Sequence, residues 1–440
     1  MTASVAATDF DVVIVGAGMV GASLACALAE AGLRLAVLDS QPVDNPITSS
    51  SAFDDLPFDA RVSAITPASQ EFFKSLHVWD AITARRYSPY TDMHVWEADG
   101  TGSIHFSAAD IHADVLGHII ENSVILAALH EKLQQQENVT LLAPVTLQEL
   151  QSAMTVESGT PGRIGLLLAD GRQLSTRLLV AADGANSRVR ELAGFQTREW
   201  DYEHHAIVTT VRTELPHKQT AIQRFMDEGV LAFLPLNPCR SGPCPRLDIA
   251  DDSIAGRARS YKSGDDQRYC SIVWSVLPDY AQSLMSLDDP AFARALESAI
   301  ESRLGTIAHV DKRYSFPLRQ RHASSYVQDR IALIGDAAHT IHPLAGQGVN
   351  LGLLDASALA NEICQAHAVG RDFADLRTLR RYQRRRIGHN LGMMWLMEGF
   401  KHLFADQPLP LRWLRNAGMS GLDGIVPVKN RIMRSAMGID

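Results

Sequence analysis

Three glycines near the amino end have the spacing of a phosphate-binding turn. Gly16, Gly18 and Gly21 follow the apolar run Asp11–Val15 and precede an alanine-rich segment. In a strand–turn–helix unit the first glycine permits the tight turn, the second lets a pyrophosphate approach the backbone, and the third lets helix and strand pack closely. Asp39 lies 18 positions beyond Gly21, where a carboxylate can accept hydrogen bonds from both adenosine ribose hydroxyls. The pattern predicts dinucleotide binding, and a glycine turn without a ligand is the alternative.

A second group of residues, more than three hundred positions later, suits the other end of the same ligand. Asp336 follows Gly335 at the end of an apolar run, where a carboxylate can hydrogen-bond the hydroxyls of a ribityl chain. An N-cap is the alternative role for Asp336, and the two roles are compatible. The next stretch opens a helix whose positive amino end would stabilise an anionic reduced flavin ring; its residues are Gly346, Gln347, Gly348, Val349 and Asn350. The two groups together imply one long ligand, FAD, and suggest a flavin hydroxylase.

Asp183 and Arg190 form a third candidate site. Asp183-Gly184 ends an apolar run, and the helix predicted after it carries Ser187, Arg188 and Arg190. In one interpretation Asp183 orders the glycine turn, with Ser187 and Arg190 in the same network. In the other, this surface receives the phosphates of a nicotinamide donor, NADPH or NADH. The sequence leaves both open.

Arg61 and Asn122 are candidates for lateral contacts to FAD. Arg61 follows a long polar loop, and a guanidinium there would clamp FAD from the side opposite the first helix. A surface ion pair is the alternative. Asn122 is a candidate amide contact to the flavin. His339 and His342 follow Asp336, and a structural role explains each of them more readily than contact with substrate or flavin.

The elements that must position these residues indicate an α/β fold. Strands at 11–15 and 35–38 enclose a helix that Gly32 ends, which makes a βαβ unit. Helices are predicted over 62–76 and 115–136, a strand pair over 93–106, and a β-rich stretch over 206–276. We expect a discontinuous Rossmann-like FAD-binding domain (1–75, 112–195 and 326–370), an inserted β-sheet substrate domain (76–111 and 196–325) with a surface excursion at 237–268, and a helical C-terminal region (371–440).

Composition excludes several classes of protein. With 440 residues, 46% of them hydrophobic and 21% charged, the chain is an ordinary globular protein of two or three domains. The uncharged stretch Val12–Ala29 contains the three glycines, so it is better explained by strand, turn and helix than by a membrane span, and Met1–Phe10 shows no signal peptide. Five cysteines without a CxxC pair favour a reducing cytoplasm, although Cys239 and Cys244 could pair. We expect no metal site and no nucleic-acid partner.

The charge of the chain is unevenly distributed. The net charge is −9, yet residues 377–440 hold twelve Lys and Arg against four Asp and Glu. Two stretches of this region, Met393–Phe404 and Ile425–Met437, combine an apolar face with a polar or basic one. A basic region on an acidic body favours contact with an anionic membrane surface. Packing of these helices against the protein's own domains is the alternative.

Three segments of the chain, Gly16–Gly21, Asp183–Arg190 and Gly335–Asn350, resemble the class A flavoprotein aromatic monooxygenases. Further segments look like the ubiquinone-biosynthesis hydroxylases: Asp59–Ile65, Leu116–Val124, Ala182–Ser187 and Gly335–Leu351. Within that family, three stretches look most like the bacterial 2-polyprenylphenol hydroxylases, which add the C5 oxygen of the quinone ring: Trp200–His205, Leu231–Leu236 and Ser271–Trp274.

The resemblance implies a reaction. NAD(P)H reduces FAD, dioxygen adds to give a flavin C4a-hydroperoxide, and its distal oxygen attacks the phenol ring of a polyprenylphenol. The cofactor carries this chemistry, so no catalytic base is assigned. Pro343, Gly346 and Gln347 are then expected beside the reacting edge of the flavin. The resemblance also implies a cytoplasmic enzyme peripheral to the inner membrane, a homo-oligomer, and contacts with other ubiquinone-biosynthesis proteins through the C-terminal region.

Three other functions remain open at this stage. A hydroxylase of a soluble aromatic acid would need no lipid-seeking tail. A sister ubiquinone hydroxylase would act at another ring position. A non-catalytic protein of this fold would bind a partner's prenyl tail, but it would not need Asp336 or the turn from Gly346 to Gly348.

Overall fold

A computed structural model describes residues 8–43, 58–97, 102–154, 162–237, 267–340 and 348–404, with residues 430, 434, 437 and 438 near the end. The strands are β1 (Thr8–Val15), β2 (Leu35–Leu38), β3 (Val62–Ile65), β4 (Ser88–Tyr90), β5 (Asp92–Glu97), β6 (Ser103–Ser107), β7 (Gly117–Glu121), β8 (Val139–Leu142), β9 (Leu147–Met154), β10 (Arg163–Leu168), β11 (Gln173–Ala181), β12 (Thr197–Thr213), β13 (Thr220–Met226), β14 (Gly229–Leu236), β15 (Tyr269–Val276), β16 (Ile307–Val310), β17 (Tyr314–Ala323), β18 (Val327–Gln328), β19 (Ile331–Leu333) and β20 (His339–Thr340). The helices are α1 (Met19–Ala29), α2 (Pro67–Ser75), α3 (Trp79–Thr83), α4 (Asn122–Gln134), α5 (Arg188–Leu192), α6 (Pro278–Ser286), α7 (Asp289–Ala299), α8 (Gly348–Ala368) and α9 (Leu376–Phe404). The predicted α/β class is confirmed.

A parallel sheet forms the centre of the first layer. Its strands lie in the order β19-β11-β1-β2-β8, and all four of these pairings are parallel. Such strands are buried on both faces, and accordingly Val12, Val13 and Ile14 are fully buried. Helix α1 connects β1 to β2 and packs against α4 and α8. The carboxyl ends of β1, β2 and β19 therefore lie along one edge of the sheet, where open α/β sheets bind ligands.

The second sheet is largely antiparallel. Among the described residues it follows the order β20-β17-β12-β15-β14-β13-β5-β6, with β16 beside β12. One face buries Trp274, Phe233 and Ile272 against α6 and α7. The opposite face faces the first layer, because Leu234 and Leu236 pack there with Ala64 of β3 and Ile119 of β7.

Two elements differ from the sequence-based expectations. Residues 62–76 were expected to form one helix, but 62–65 form strand β3, and α2 begins after Thr66. Pairing with β7 holds β3 extended and suits the β-branched Val62 and Ile65. Thr66 then caps the helix by accepting from the Ser69 N–H, and Pro67 occupies the first turn, where it is tolerated.

The helix expected over 115–136 was also too long. Residues 117–121 form strand β7 between β3 and β4, and α4 begins at Asn122. Ile119 and Ile120 favour a strand, and Gly117 allows the close approach of the β3 backbone: a Cβ atom there would lie 2.7 Å from the Ile65 carbonyl oxygen.

Helix α9 packs on the first layer rather than extending away from it. Leu379 and Tyr382 are fully buried, and the Tyr382 hydroxyl donates to the Leu333 carbonyl at 2.7 Å. Near the end of the chain, Met437 packs with Ala108 and Ile111. None of the helices in the described ranges has the length and apolar character needed to cross a membrane.

Candidate functional site

The amino-terminal glycines make a turn that the chain's own packing requires. Gly16 has φ +105°, and a Cβ atom there would lie 2.2 Å from the Ala182 carbonyl oxygen. A Cβ atom on Gly21 would lie 2.0 Å from the Gly16 carbonyl oxygen. Gly18 differs, because in the part of the chain that the structure describes no atom beyond its own neighbours and helix backbone lies within 4 Å of its Cβ position, and no side chain there caps α1. The first and third glycines hold strand and helix together, whereas the second leaves the helix amino end open to an anion.

Asp39 is fixed beside this turn. One carboxylate oxygen accepts the Ala17 N–H at 2.7 Å and the other accepts the Gln41 N–H at 2.8 Å. His130 of α4 donates from Nε2 to the Ala17 carbonyl at 2.7 Å. The half-buried carboxylate keeps lone pairs for a ribose diol. No sequence pattern points to His130, which lies 113 positions from Ala17.

Asp336 lies at the end of β19, in a turn whose first residue, Gly335, has φ +57°. The carboxylate is open to solvent but lies in a cleft. The surrounding protein atoms desolvate it and raise its pKa, while His339 and Arg61 oppose the shift. The turn packs on the first helix, because a Cβ atom on Gly335 would lie 3.3 Å from Val20. Asp336 and the glycine turn therefore border the same edge of the parallel sheet.

Asp183 and Arg190 form one connected turn. The Asp183 carboxylate accepts the N–H groups of Arg188 at 2.7 Å and Val189 at 3.2 Å, and so caps α5. The buried guanidinium of Arg190 donates to the Ala337 carbonyl at 3.0 Å and the Ala185 carbonyl at 2.7 Å. Burial, with Arg321 nearby, lowers the pKa of Arg190. Of the two interpretations, these contacts match the ordering of the turn.

Arg61 and Asn122 lie side by side at the junction of β3 and α4. The Asn122 N–H donates to the Arg61 carbonyl at 3.0 Å, and its side-chain oxygen accepts from the Ser63 hydroxyl at 2.7 Å. The Arg61 side chain is exposed and near enough to Asp336 to act on its charge. Behind them, Glu121 and Arg86 form a buried ion pair at 2.6 Å that anchors the segment. Arg61 is thus available to a ligand beside Asp336.

Asn350 has protein partners. Its amide nitrogen donates to the Ala64 carbonyl at 2.7 Å, and its oxygen accepts from the Ser69 hydroxyl at 2.7 Å and the Thr66 N–H at 3.1 Å. These bonds fix the amino end of α8 on β3 and α2. Gly348 begins α8, and among the described residues no atom beyond its own neighbours and helix backbone lies within 4 Å of its Cβ position. The contact to cofactor predicted for Asn350 stays a prediction.

The remaining predicted residues divide into two groups. Pro343, Gly346, Gln347 and His342 lie outside the described residues. His339 is buried, and its Nε2 lies 2.5 Å from Asp355 on α8, so this ring nitrogen is engaged within the protein. Asp355 is a site residue that sequence analysis missed. The available signal was a carboxylate inside the apolar pattern of α8.

These residues fit FAD. An open helix amino end at Gly18 suits a pyrophosphate, Asp39 suits a ribose diol, and Asp336 in its cleft suits a ribityl chain. The exposed cation of Arg61 lies near Asp336 and suits an anionic part of the same ligand. The residues suited to bind FAD therefore correspond to both ends of the cofactor.

Comparison with known proteins agrees with this geometry. A family model described as an FAD binding domain matches residues 9–393. The chain is 34% identical to the 3-demethoxyubiquinol 3-hydroxylase of Escherichia coli, over 98% of each chain. It is 33% identical to the mitochondrial ubiquinone biosynthesis monooxygenase COQ6 of Xenopus tropicalis, over 97% of this chain and 93% of that protein. The chain belongs to the FAD-dependent monooxygenase family. This flavoprotein monooxygenase is also 32% identical to the ubiquinone hydroxylase UbiL of Rhodospirillum rubrum, over 97% of this chain and 89% of that protein.

Solved structures show the same fold. The monooxygenase superposes on PqsL, a probable FAD-dependent monooxygenase from Pseudomonas aeruginosa, with a TM-score of 0.70 and 22% identity, over 94% of this chain and 100% of PqsL. It superposes on the p-nitrophenol 4-monooxygenase PnpA from Pseudomonas putida with a TM-score of 0.71 and 18% identity, over 98% of each chain.

Proposed function

We propose that this FAD-dependent monooxygenase hydroxylates the aromatic ring of a polyprenylphenol in ubiquinone biosynthesis, with NAD(P)H as the electron donor and O2 as the oxygen source. The observation that carries the proposal is similarity over nearly the whole chain to proteins named as ubiquinone hydroxylases. The sequence resemblance of Trp200–His205, Leu231–Leu236 and Ser271–Trp274 favours C5 as the ring position.

An apolar sheet face supports a lipid-tailed substrate. The pairing register places Val208 of β12 beside Val273 of β15 on the face opposite α6 and α7, and both are only half-buried. Tyr314 and Phe316 pair with Val208 and Ala206 and extend this face outward. The two exposed rings stack with centroids 6.5 Å apart. An apolar strip of this kind would exclude water from a prenyl tail.

In this proposal the protein binds and orients, and bound FAD supplies the oxygen chemistry once a nicotinamide donor has reduced it. Gly18 and the amino end of α1 bind the pyrophosphate, and Asp39 binds the ribose. Asp336 orients the ribityl chain. The face of the second sheet that lies opposite α6 and α7 keeps water from the ring of the substrate.

Two measurements test the proposal. Deletion of the gene should make a prenylated ring precursor accumulate that lacks one oxygen, and mass spectrometry and NMR of that compound identify the ring position. Wild-type protein should restore ubiquinone, and Asp336→Ala should not. Purified enzyme should oxidise NADPH or NADH faster when a short-chain polyprenylphenol is added. Normal ubiquinone in the deletion strain, with stimulation by a soluble aromatic acid instead, would replace this proposal with the soluble-substrate alternative.

We also propose that the C-terminal region contacts an anionic lipid surface. Five exposed arginines support this along α9: Arg377, Arg380, Arg381, Arg384 and Arg385. The packing of Met437 against the body favours the alternative, an internal role for the end of the chain. Contacts with other ubiquinone-biosynthesis proteins and a homo-oligomeric state remain expectations.

A further inference from the structure

A fully buried carboxylate, that of Asp355, links the Gly335–Asp336 turn to helix α9. Asp355 of α8 accepts on Oδ2 from the Gly335 N–H at 3.1 Å and from His339 Nε2 at 2.5 Å. On Oδ1 it accepts from Arg386 Nε at 2.7 Å and Asn390 Nδ2 at 3.1 Å, both on α9. One oxygen thus holds the turn that carries Asp336, and the other holds α9.

The surroundings keep Asp355 ionised. Burial opposes its charge, but His339 and Arg386 outweigh burial and hold the pKa of Asp355 below its ordinary value. The network continues through Asn390, which donates to the Tyr326 hydroxyl at 3.4 Å, and the same hydroxyl contacts His322 at 3.0 Å. Buried carboxylates of this kind are costly unless every partner is in place, so the loss of one partner disturbs the others.

The turn held by Asp355 has little freedom of its own. Gly335 has a positive φ, and the next residue is the expected ribityl ligand. The bond from Gly335 N–H to Asp355 therefore restrains the residue that directly precedes Asp336. Gly352, one turn before Asp355 on α8, packs closely on α1 and on the turn itself. A Cβ atom there would lie 2.6 Å from Val20 of α1 and 3.1 Å from the Gly335 Cα atom.

We propose that Asp355 and Arg386 are positioning residues for FAD: the docking of α9 through Arg386 holds Asp355, and Asp355 holds the Gly335–Asp336 turn in its FAD-binding conformation. Binding of FAD and docking of α9 are then linked, and each strengthens the other. The proposal concerns the cofactor and is independent of which substrate the enzyme hydroxylates.

Adjacent arginines on α9 provide a matched test. Arg386 pairs with Asp355 and is buried, whereas Arg385 pairs with Glu362 of the same two helices and is 57% exposed. Apo-protein of Arg386→Gln, Asp355→Asn and Arg385→Gln is titrated with FAD, with flavin fluorescence and visible circular dichroism as readouts. We expect FAD Kd to rise about tenfold or more in the first two variants, because a charge-assisted bond is lost, and to change less than twofold in Arg385→Gln. The visible circular dichroism of bound flavin should change only in the first two.

Rescue distinguishes positioning from packing. Arg386→Lys keeps the charge and should recover part of the FAD affinity, and it also serves if Arg386→Gln does not fold. Asp355→Asn combined with Arg386→Gln should weaken FAD binding by less than the product of the single effects, because both act through one link. The decisive single variants are Asp355→Asn and whichever of Arg386→Gln and Arg386→Lys folds. The proposal is overturned if each of them lowers the melting temperature of apo-protein while FAD Kd and the flavin spectrum stay unchanged.

Discussion

Arg190 donates a hydrogen bond to the carbonyl of Ala337 at 3.0 Å, across 147 positions of the chain. The bond joins the Asp183–Arg190 turn to the turn that carries Asp336. Because the same guanidinium also donates to the Ala185 carbonyl and is buried, it has little freedom to bind the phosphates of a transient donor. These contacts favour the structural interpretation of the motif, in which Arg190 braces the turn that carries Asp336.

Replacement of Arg190 tests this role. Arg190→Met should weaken FAD binding and lower the melting temperature, because the buried carbonyl of Ala337 and the half-buried carbonyl of Ala185 lose a charged donor. With FAD saturating, the apparent KM for NADPH should change less than twofold. Arg188→Met is the control, since Arg188 is on the same helix but is exposed and pairs with Glu191 at 2.8 Å. A KM for NADPH that rises in Arg188→Met would assign this surface to the donor after all.

The glycine turn predicts opposite outcomes for two neighbouring substitutions. Gly18→Ala should fold with a melting temperature lowered only slightly as apo-protein: alanine is a weaker N-cap than glycine, but among the described residues no atom beyond the neighbours and helix backbone lies within 4 Å of the new methyl group. FAD Kd should nevertheless rise about tenfold or more as the methyl blocks the pyrophosphate. Gly16→Ala should lose folded protein, because a positive φ costs about 1–3 kcal/mol in other residues and the methyl would overlap the Ala182 carbonyl. Differential scanning fluorimetry and FAD titration check both, and equal FAD affinity in Gly18→Ala and wild type would contradict the assignment.

Asp336→Ala should release most of the flavin. A charge-assisted hydrogen bond contributes about 1.5–3 kcal/mol, which corresponds to a rise in FAD Kd of roughly 10- to 150-fold. The ratio of flavin to protein absorbance after gel filtration measures the occupancy. Asp170→Ala is the matched control, because Asp170 is an exposed carboxylate of the same sheet that pairs with Arg172. Full occupancy in Asp336→Ala would remove Asp336 from the site.

The parts of the fold that could be predicted from sequence are those with local causes. The strand at 11–15 and the glycine turn each follow from adjacent residues, and the structure has them in place. The first helix ends at Ala29, three residues before the Gly32 expected to stop it, and Gly32 has φ +73° in the turn that follows. The helices expected at 62–76 and 115–136 were wrong in their first turns, because pairing between β3 and β7 outweighs the helical pattern there. Asp355, Arg386 and His130 could not be assigned, because their roles depend on partners brought close only by tertiary packing.

Acid should destabilise the enzyme in part through His217. This buried ring accepts the Gln219 N–H on Nδ1 and contacts the Leu236 carbonyl through Nε2, which suits the neutral form. Burial lowers the pKa of His217 to about 4, although the bond to Leu236 opposes the shift. The unfolded chain binds this proton near pH 6.5, so between about pH 6.5 and 4 it holds more protons than the folded protein. The free energy of unfolding therefore falls as pH is lowered through that window, by up to ~1.4 kcal/mol per pH unit.

His217→Gln removes this contribution. Its melting temperature should depend less on pH between 6.5 and 4 than that of wild type, even if it is lower at pH 7. His309→Gln is the control, because His309 is exposed and pairs with Asp311 at 3.0 Å. Parallel curves of melting temperature against pH for His217→Gln and wild type would show that the ring does not titrate on unfolding.

Recruitment to lipid should depend on the basic C-terminal region. Arginines near an anionic surface contribute about 1 kcal/mol of binding free energy each within a Debye length, so binding should weaken as salt is raised.

A truncation after Arg386 would also delete Asn390, which bonds Asp355 in the core, so the informative truncation is after Phe404. A second variant, Arg380→Gln/Arg381→Gln/Arg384→Gln, removes three exposed charges from α9 and leaves Arg386 in place. In flotation with anionic liposomes both variants should bind less than full-length protein, the triple variant by at least about tenfold, and none should bind zwitterionic liposomes. Equal flotation of all three proteins, or of none, would leave α9 and the region after it as packing elements and turn attention to contacts between copies of the chain.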